Sequence, residues 1–192
     1  MTSVLIIQGH PEADSFGTAL ADAYAAGARD AGHEVRELRL RELEFDPLLR
    51  SREARGGEAE PCITEARDSI VWAEHLVVQY PTWWASTPAL LKGFIDRVFV
   101  PGFAYRPHET GNGWDKLLKG RSSRLLITMD APVLYDSLYY YASSRRAMSK
   151  GVMGFCGIRP TRVTTFAPIR GSTERKRANW LVRARELGSR AS

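Results

Sequence analysis

The chain has 192 residues, of which 44% are hydrophobic and 26% are charged, proportions that are ordinary for a globular protein. This length predicts one domain over residues 1–192 with a buried core, and no apolar stretch is long enough to span a membrane. The formal net charge of +5 suits an anionic small ligand, a phosphate-bearing cofactor or weak contact with nucleic acid.

Apolar runs alternate with helical patterns along the chain, which is typical of a parallel α/β sheet. The first run, Ser3–Gln8, predicts a strand and is too short and wrongly flanked for a signal peptide. We therefore predict a cytoplasmic protein without membrane insertion. A helix follows over Ser15–Ala31, with Asp14 or Ser15 as its cap. Glu34–Leu40 alternates between apolar and polar residues and predicts a second strand at a sheet edge.

The rest of the chain adds three strands and four helices to this pattern. A polar connection, Arg41–Pro61, comes first, and we expect it to be a mobile loop on the substrate side of the protein. The elements after it are helix Ile63–Ala73, strand Glu74–Gln79, helix Pro88–Phe99, strand Ser123–Met129, helix Tyr139–Phe155, strand Arg162–Phe166 and helix Thr173–Gly188. We predict that Gly102–Gly120 is irregular.

Five strands with intervening helices predict a doubly wound parallel sheet in the flavodoxin order 2-1-3-4-5, with helices on both faces. In such sheets ligands bind beyond the carboxyl ends of the strands, at the point where the strand order reverses. Here that point lies between the first and third strands. The loops that follow these two strands should therefore converge on one site.

The cysteines and histidines do not indicate a metal site or a disulfide scaffold. Cys62 and Cys156 lack metal-ligand spacing, and Cys156 lies in an apolar setting where a thiol usually packs as a small hydrophobe. The four histidines are scattered along the chain: His10, His33, His75 and His108. No metal site and no convincing catalytic triad follow from the sequence.

The loop after the first strand is suited to a phosphate. It ends where a helix begins, and the free N–H groups and the dipole of a helix amino terminus favour an anion. Neither a Gly-x-Gly-x-x-Gly motif nor a Walker-type Gly-Lys-Ser/Thr motif is present. Ser15 can also be a simple helix cap, and His10 can simply bond to loop carbonyls. The candidate binding residues are His10, Ser15, Phe16, Gly17 and Thr18.

The loop after the third strand carries two adjacent tryptophans, Trp83 and Trp84. Exposed aromatic surface of this kind usually has a planar partner. One of the two rings could instead fill a gap in the core, but a shared core role is unexpected for two neighbours in a loop. The loop therefore predicts a site for a planar ligand, opposite the phosphate-suited loop.

Together these motifs resemble the flavodoxin-like NAD(P)H:quinone oxidoreductases, the group of DT-diaphorase and its bacterial relatives. The resemblance covers nearly the whole chain. The motifs that carry it are His10-Pro11 with Ser15-Phe16, Tyr80-Pro81 with Trp84, Pro88-Ala89-Leu90-Leu91-Lys92-Gly93, Asp96-Arg97-Val98-Phe99, Gly102-Phe103-Ala104-Tyr105, Gly111 with Leu117-Leu118-Lys119-Gly120, and Gly154-Phe155-Cys156-Gly157.

The resemblance implies a flavin, FMN or alternatively FAD, that passes a hydride from NAD(P)H to a quinone or similar flat acceptor. By position, His10 and Ser15–Thr18 would hold the flavin phosphate. The residues that would line the isoalloxazine ring and ribityl chain are Pro81, Thr82, Trp83 and Trp84. Thr128 and Asp130, in the loop after the fourth strand, complete the implied cofactor-binding set.

The chain departs from the family pattern in three places. Many members have Asn where this chain has Gly17, and many have Thr-Thr-Gly-Gly where it has Thr128-Met129-Asp130-Ala131. Asp130 would place a negative charge near the flavin edge unless it points away. The Tyr and His that assist hydride transfer in DT-diaphorase are not carried over, because only tyrosines follow this loop: Tyr135, Tyr139, Tyr140 and Tyr141. No catalytic residue is therefore assigned.

The resulting hypothesis is a ping-pong reductase in which NAD(P)H and then the acceptor occupy the same place. The alternative is a flavin-binding ancillary or regulatory subunit without reductase turnover. Nucleic-acid binding through the basic carboxyl-terminal helix is not expected, because Trp180 is the only aromatic residue there for base stacking.

A homodimer with the flavin near its interface is also implied by the resemblance. Helix Pro88–Phe99 has a wide apolar stripe that one sheet face does not obviously cover, and Phe103 and Tyr105 follow it outside any helix or strand pattern. A twofold dimer is the commonest way to cover such a patch. The alternative is that the segment Arg106–Gly120 folds back over it within one chain.

Overall fold

The structure, a computed structural model, describes residues 1–50 and 59–191. Its centre is a five-stranded parallel sheet in the order β2-β1-β3-β6-β7, and a separate antiparallel hairpin pairs β4 with β5. The strands are β1 Ser3–Gln8, β2 Glu34–Arg39, β3 His75–Pro81, β4 Tyr105–Pro107, β5 Trp114–Lys116, β6 Ser122–Thr128 and β7 Thr161–Phe166. The predicted doubly wound parallel sheet in flavodoxin order is confirmed.

The helices lie between the strands, as predicted. They are α1 Phe16–Asp30, α2 Pro61–Trp72, α3 Ala89–Val98, α4 Val133–Tyr139, α5 Ser143–Arg146 and α6 Glu174–Arg190, with a 3-10 turn at Leu40–Glu42 and a π-helix at Ala147–Gly154. None of the helices in the described ranges combines the length and the hydropathy that crossing a membrane requires.

Two predicted segments differ from the structure. The helix predicted over Tyr139–Phe155 begins earlier, at Val133, and breaks where Tyr141 and Ala142 both adopt left-handed backbone angles with φ of 53°. The segment predicted to be irregular, Gly102–Gly120, contains the β4–β5 hairpin. Its Trp114 ring stacks on Phe155 with centroids 4.4 Å apart, and Trp114 Nε1 donates to the Phe155 carbonyl. The hairpin therefore forms although its sequence has no strand pattern, and it packs against an aromatic ring that is distant in the chain.

The core has two halves, one on each face of the sheet, because side chains alternate along every strand. Helices α2 and α3 and the π-helix pack on one face, and α1 and α6 pack on the other. The buried strand residues of the first face are Leu5, Ile7, Leu76, Val78, Tyr80, Leu125 and Ile127. Those of the second face are Val4, Ile6, Val77, Leu126 and Phe166.

The apolar stripe of α3, from which the sequence predicted a dimer interface, is buried within the chain. Leu91, Phe94 and Val98 lie in the core beneath the sheet. One flank of α3 is covered by the connection after β2, since Pro47 packs so close to Gly93 that a side chain there would overlap it. This part of the dimer argument is therefore wrong. Residues 51–58 are part of the connection that we expected to be mobile, and they lie outside the described residues.

Helices α1 and α6 approach each other closely through two glycines. A Cβ on Gly27 would overlap the Arg185 carbonyl, and a Cβ on Gly188 would overlap the Tyr24 carbonyl. Because backbone atoms on a facing helix cannot swing aside as a side chain can, these positions accept only glycine. The close crossing fixes α1 against the sheet and so sets the position of its amino end.

We expect Gly27→Ala and Gly188→Ala each to lower the free energy of unfolding by about 1–3 kcal/mol, although alanine favours helix by about 1 kcal/mol. Gly151→Ala is the matched control, because a Cβ there meets nothing within 4 Å. Urea unfolding should show that Gly151→Ala is as stable as wild type or more stable. Unchanged midpoints for both crossing variants would refute the close-packing argument.

Candidate functional site

A cleft of about 220 Å³ lies at the carboxyl edge of the sheet, where the loops after β1, β3 and β6 meet. The strand order reverses at this point, as the sequence analysis expected for a ligand site. The lining residues are His10, Ser15, Phe16, Gly17, Pro81, Thr82, Trp83, Thr128, Met129, Asp130 and Ile169. Of the cofactor-binding residues predicted from the sequence, all except Thr18 and Trp84 line this cleft.

The amino end of α1 forms one wall of the cleft. Ser15 is the cap of this helix: its Oγ accepts a hydrogen bond from Thr18 N at 3.1 Å. Thr18 Oγ1 lies 3.4 Å from the Glu12 carbonyl and 3.0 Å from Ser15 Oγ, and either hydroxyl of the pair can be the donor. The N–H groups of Phe16 and Gly17 belong to the first helical turn, where no intrahelical acceptor exists. The wall therefore offers backbone donors to a ligand.

His10 is held neutral beside this wall. Its Nδ1 accepts a hydrogen bond from Glu12 N at 3.0 Å, which leaves the ring proton on Nε2. Burial lowers the pKa of His10 below 6.5, and nearby Glu12 only partly opposes this effect. The ring meets Trp83 edge to face, with centroids 5.7 Å apart. His10 can therefore act as a neutral N–H donor and as a support for Trp83.

The tryptophan loop forms the opposite wall in a tight turn. Main-chain hydrogen bonds join Trp83 and Ser86 in both directions, and between them Trp84 and Ala85 adopt left-handed angles with φ of 51° and 55°. Such angles cost about 1–3 kcal/mol each in non-glycine residues. Ser143 Oγ donates to the Ala85 carbonyl at 2.6 Å and so helps to hold the turn. The turn is strained and supported from outside.

Both tryptophans project from this turn instead of filling the core. Trp83 is 44% exposed and borders the cleft, whereas Trp84 is fully exposed. The alternative that one of them plugs a core gap is therefore wrong. Trp84 instead lines a second cavity of about 210 Å³, which shares Thr82, Met129 and Asp130 with the cleft.

The second cavity combines apolar walls with buried polar groups. Tyr140 and Asp136 line it, and Arg145 donates to Asp136 Oδ2 at 2.8 Å. Of the tyrosines after β6, Tyr140 is thus placed at the site, and its ring also meets those of Tyr135 and Tyr139. The sequence indicated that a tyrosine follows the loop, but it did not indicate which one reaches the site.

The loop after β6 closes the cleft with its backbone. Thr82 N donates to the Thr128 carbonyl at 2.8 Å, which joins this loop to the tryptophan loop. Asp130 lines the cleft, and its Oδ1 accepts the Arg170 backbone N–H at 2.8 Å. The carboxylate is therefore engaged by the loop after β7. Asp130 does not point away, and its negative charge stays at this edge, where the exposed Arg170 guanidinium, 4.0 Å from Oδ2, offsets it only weakly.

Sequence reasoning missed two lining residues, Met129 and Ile169. Met129 lies inside the family's loop position but carried no recognised role. Ile169 follows β7, beyond the two loops of the reversal point, and its N–H donates to the Met129 carbonyl at 3.0 Å. The available signal was an apolar residue at the end of the fourth predicted strand for Met129 and shortly after the fifth for Ile169. Within the described ranges, no group of three His, Cys, Asp or Glu side chains is placed to hold a metal ion.

Comparison with known proteins agrees with this architecture. A sequence model of a family described by its flavodoxin-like fold matches residues 2–187. The chain is 33% identical over 171 residues to a Haemophilus influenzae protein described as an uncharacterized NAD(P)H oxidoreductase, covering 86% of this chain and 83% of that protein. It is also 30% identical over 121 residues to rat NAD(P)H dehydrogenase (quinone) 1, covering 53% of this chain and 44% of the rat protein.

Solved structures show the same fold. An FMN-dependent NADH-azoreductase from Bacillus anthracis str. Ames Ancestor, solved in complex with FMN, matches with a TM-score of 0.78 over 100% of both chains at 18% identity. The resemblance drawn from the sequence motifs is confirmed by the family match and by the oxidoreductase relatives. The chain belongs to the flavodoxin-like family, among relatives that are named as NAD(P)H oxidoreductases.

Proposed function

We propose that the chain is a flavin-dependent NAD(P)H oxidoreductase that binds FMN in the cleft and reduces a quinone or similar flat acceptor. The observation that carries the proposal is the cleft itself, which joins the amino end of α1 to an aromatic wall at Trp83. The Haemophilus and rat relatives support NAD(P)H and a quinone, and the azoreductase complex supports FMN over FAD. The cytoplasmic location predicted from the sequence remains part of this proposal.

The residues present fit a flavin mononucleotide. The backbone N–H groups of Phe16 and Gly17 and the hydroxyl of Ser15 would hold the phosphate, with Thr18 supporting Ser15 and His10 as a further N–H donor. The ring and the ribityl chain would be bordered by Pro81, Thr82, Trp83, Thr128 and Asp130. Trp84, which lines the second cavity, would cover the ring from that side. Thr82 Oγ1 is buried and has no hydrogen-bond partner among the described residues, so it remains available to a ligand.

When bound, the flavin would accept a hydride from NAD(P)H and release it to the acceptor. The chain's own residues position and shield the reacting groups. Trp84 and Tyr140 form apolar walls of the second cavity. Its volume of about 210 Å³ suits one flat ring at a time, which favours a ping-pong order in which the nicotinamide leaves before the acceptor enters. Arg145 stabilises the buried carboxylate of Asp136 in the same cavity.

The proposal is tested by adding FMN to the purified protein and then NADH or NADPH under anaerobic conditions. We expect micromolar or tighter binding with quenching of tryptophan fluorescence, because Trp83 borders the cleft. We then expect the flavin absorption band to bleach, and to return when a quinone is added.

Binding without bleaching would favour the alternative of an ancillary flavin-binding subunit without reductase turnover. If neither FMN nor FAD bound, the enzymatic proposal would fail altogether. Riboflavin, which lacks the phosphate, is the matched control and should bind more weakly than FMN.

Ser15→Ala separates the capping role of this residue from its proposed phosphate contact. Loss of the cap should lower the free energy of unfolding of the apoprotein by about 1 kcal/mol. Loss of a hydrogen bond to a charged phosphate should also weaken FMN binding about tenfold or more. Thr173→Ala is the control, since Thr173 caps α6 in the same way through Lys176 N. Thr173→Ala should lower stability without changing FMN affinity. If the two variants bound FMN equally well, Ser15 would be a helix cap and not a phosphate contact.

A homodimer is the second part of the proposal, on a different surface from the one that the sequence indicated. Trp84, Leu134, Leu138, Tyr139 and Tyr141 are all largely exposed beside the second cavity, and we call this set the aromatic surface. Exposed apolar area of this kind usually marks an association surface. A second copy of the chain seated here would enclose the acceptor site.

Light scattering of the FMN-loaded protein should give twice the mass of the chain. Leu138→Glu should reduce that mass to one chain, because a buried charge opposes association. Val182→Glu is the control, since Val182 is similarly exposed on α6, away from the aromatic surface. A wild-type protein that is monomeric, loaded with FMN and active would contradict the dimer.

A further inference from the structure

Gln79 has a buried carboxamide that nothing in the described chain satisfies. The residue lies in β3 and is fully buried, and neither its Oε1 nor its Nε2 has a hydrogen-bond partner among the described residues. Buried amides without partners are costly and rare in native proteins, so this one calls for an explanation.

Gln8 makes the contrast clear. It sits directly beside Gln79 in the register of β1 and β3 and is equally buried. Its Nε2, however, donates to Asp22 and Glu37, each at 3.1 Å. Two glutamines in equivalent positions of neighbouring strands thus differ in one respect: one amide is satisfied by the protein, and the other is not.

The unsatisfied amide lies against the first turn of α1. A Cβ on Gly17 would overlap Gln79 Nε2, so the amide occupies the space that a side chain at position 17 would need. Gly17 lines the cleft, as does Pro81, two residues beyond Gln79 on the same strand. The amide therefore lies behind the first turn of α1, whose free N–H groups and dipole favour an anion, and it is sealed from solvent in this structure.

We propose that the Gln79 carboxamide, sealed behind Gly17 in this structure, turns toward the cleft when a ligand binds and donates from Nε2 to a phosphoryl oxygen held at the amino end of α1. This inference rests on the proposed function, which places the phosphate of FMN there. The absent side chain at Gly17 lets the amide approach from β3. A bound phosphoryl group supplies the acceptor that the protein does not.

The test compares Gln79→Met with Gln8→Met, using FMN and riboflavin as the two ligands. Methionine keeps nearly the same shape and volume, so Gln79→Met should fold with an apoprotein stability equal to or above that of wild type. It should weaken FMN binding about tenfold or more and leave riboflavin binding unchanged. Gln8→Met should lower apoprotein stability, because Asp22 and Glu37 lose a donor, and should keep the wild-type preference for FMN over riboflavin.

Gln79→Leu provides a second apolar variant of similar volume if the methionine variant is poorly folded. It also lacks the donor, so the loss should again be confined to FMN. Unchanged FMN affinity in a folded variant, or equal losses for FMN and riboflavin, would overturn the inference. A wild-type protein that bound neither flavin would instead reject the proposed function itself.

Discussion

The main-chain hydrogen bond from Gly9 N to the Gln79 carbonyl, 2.7 Å long, holds the two halves of the site together. It continues the pairing of β1 with β3 just beyond the last residue of β1, at the point where the strand order reverses. A Cβ on Gly9 would come within 3.0 Å of that carbonyl and 2.9 Å of Leu91, so any side chain there would crowd the contact. The loop that leads into α1 and the loop that carries the tryptophans both depart from this junction.

Around this junction the protein divides its polar groups into two kinds. Ser15, Thr18 and Gln8 are bonded within the chain and so stabilise the walls. The side chains of Thr82 and Gln79 are buried without partners among the described residues. Since unsatisfied groups cost stability, a polar ligand in the cleft would supply the partner that Thr82 lacks. The strained turn at Trp84 belongs to the same pattern.

Much of this arrangement could be predicted from the sequence, because its signals are local. Apolar strand runs and a Ser15 cap depend on residues close in the chain, and so the sheet order and the phosphate-suited loop were both predicted. The covering of α3 at Gly93 was not, since it depends on Pro47 meeting Gly93 across forty-six positions. The break at Tyr141 was also missed, because no glycine or proline marks it.

The crystal structure of the protein grown with FMN tests the central claim most directly. We expect the phosphate at the amino end of α1, the ring beside Trp83, and the dimethylbenzene or pyrimidine edge facing the second cavity that Trp84 lines. A flavin bound elsewhere on the chain, or one whose phosphate points away from Gly17, would contradict this account of the site.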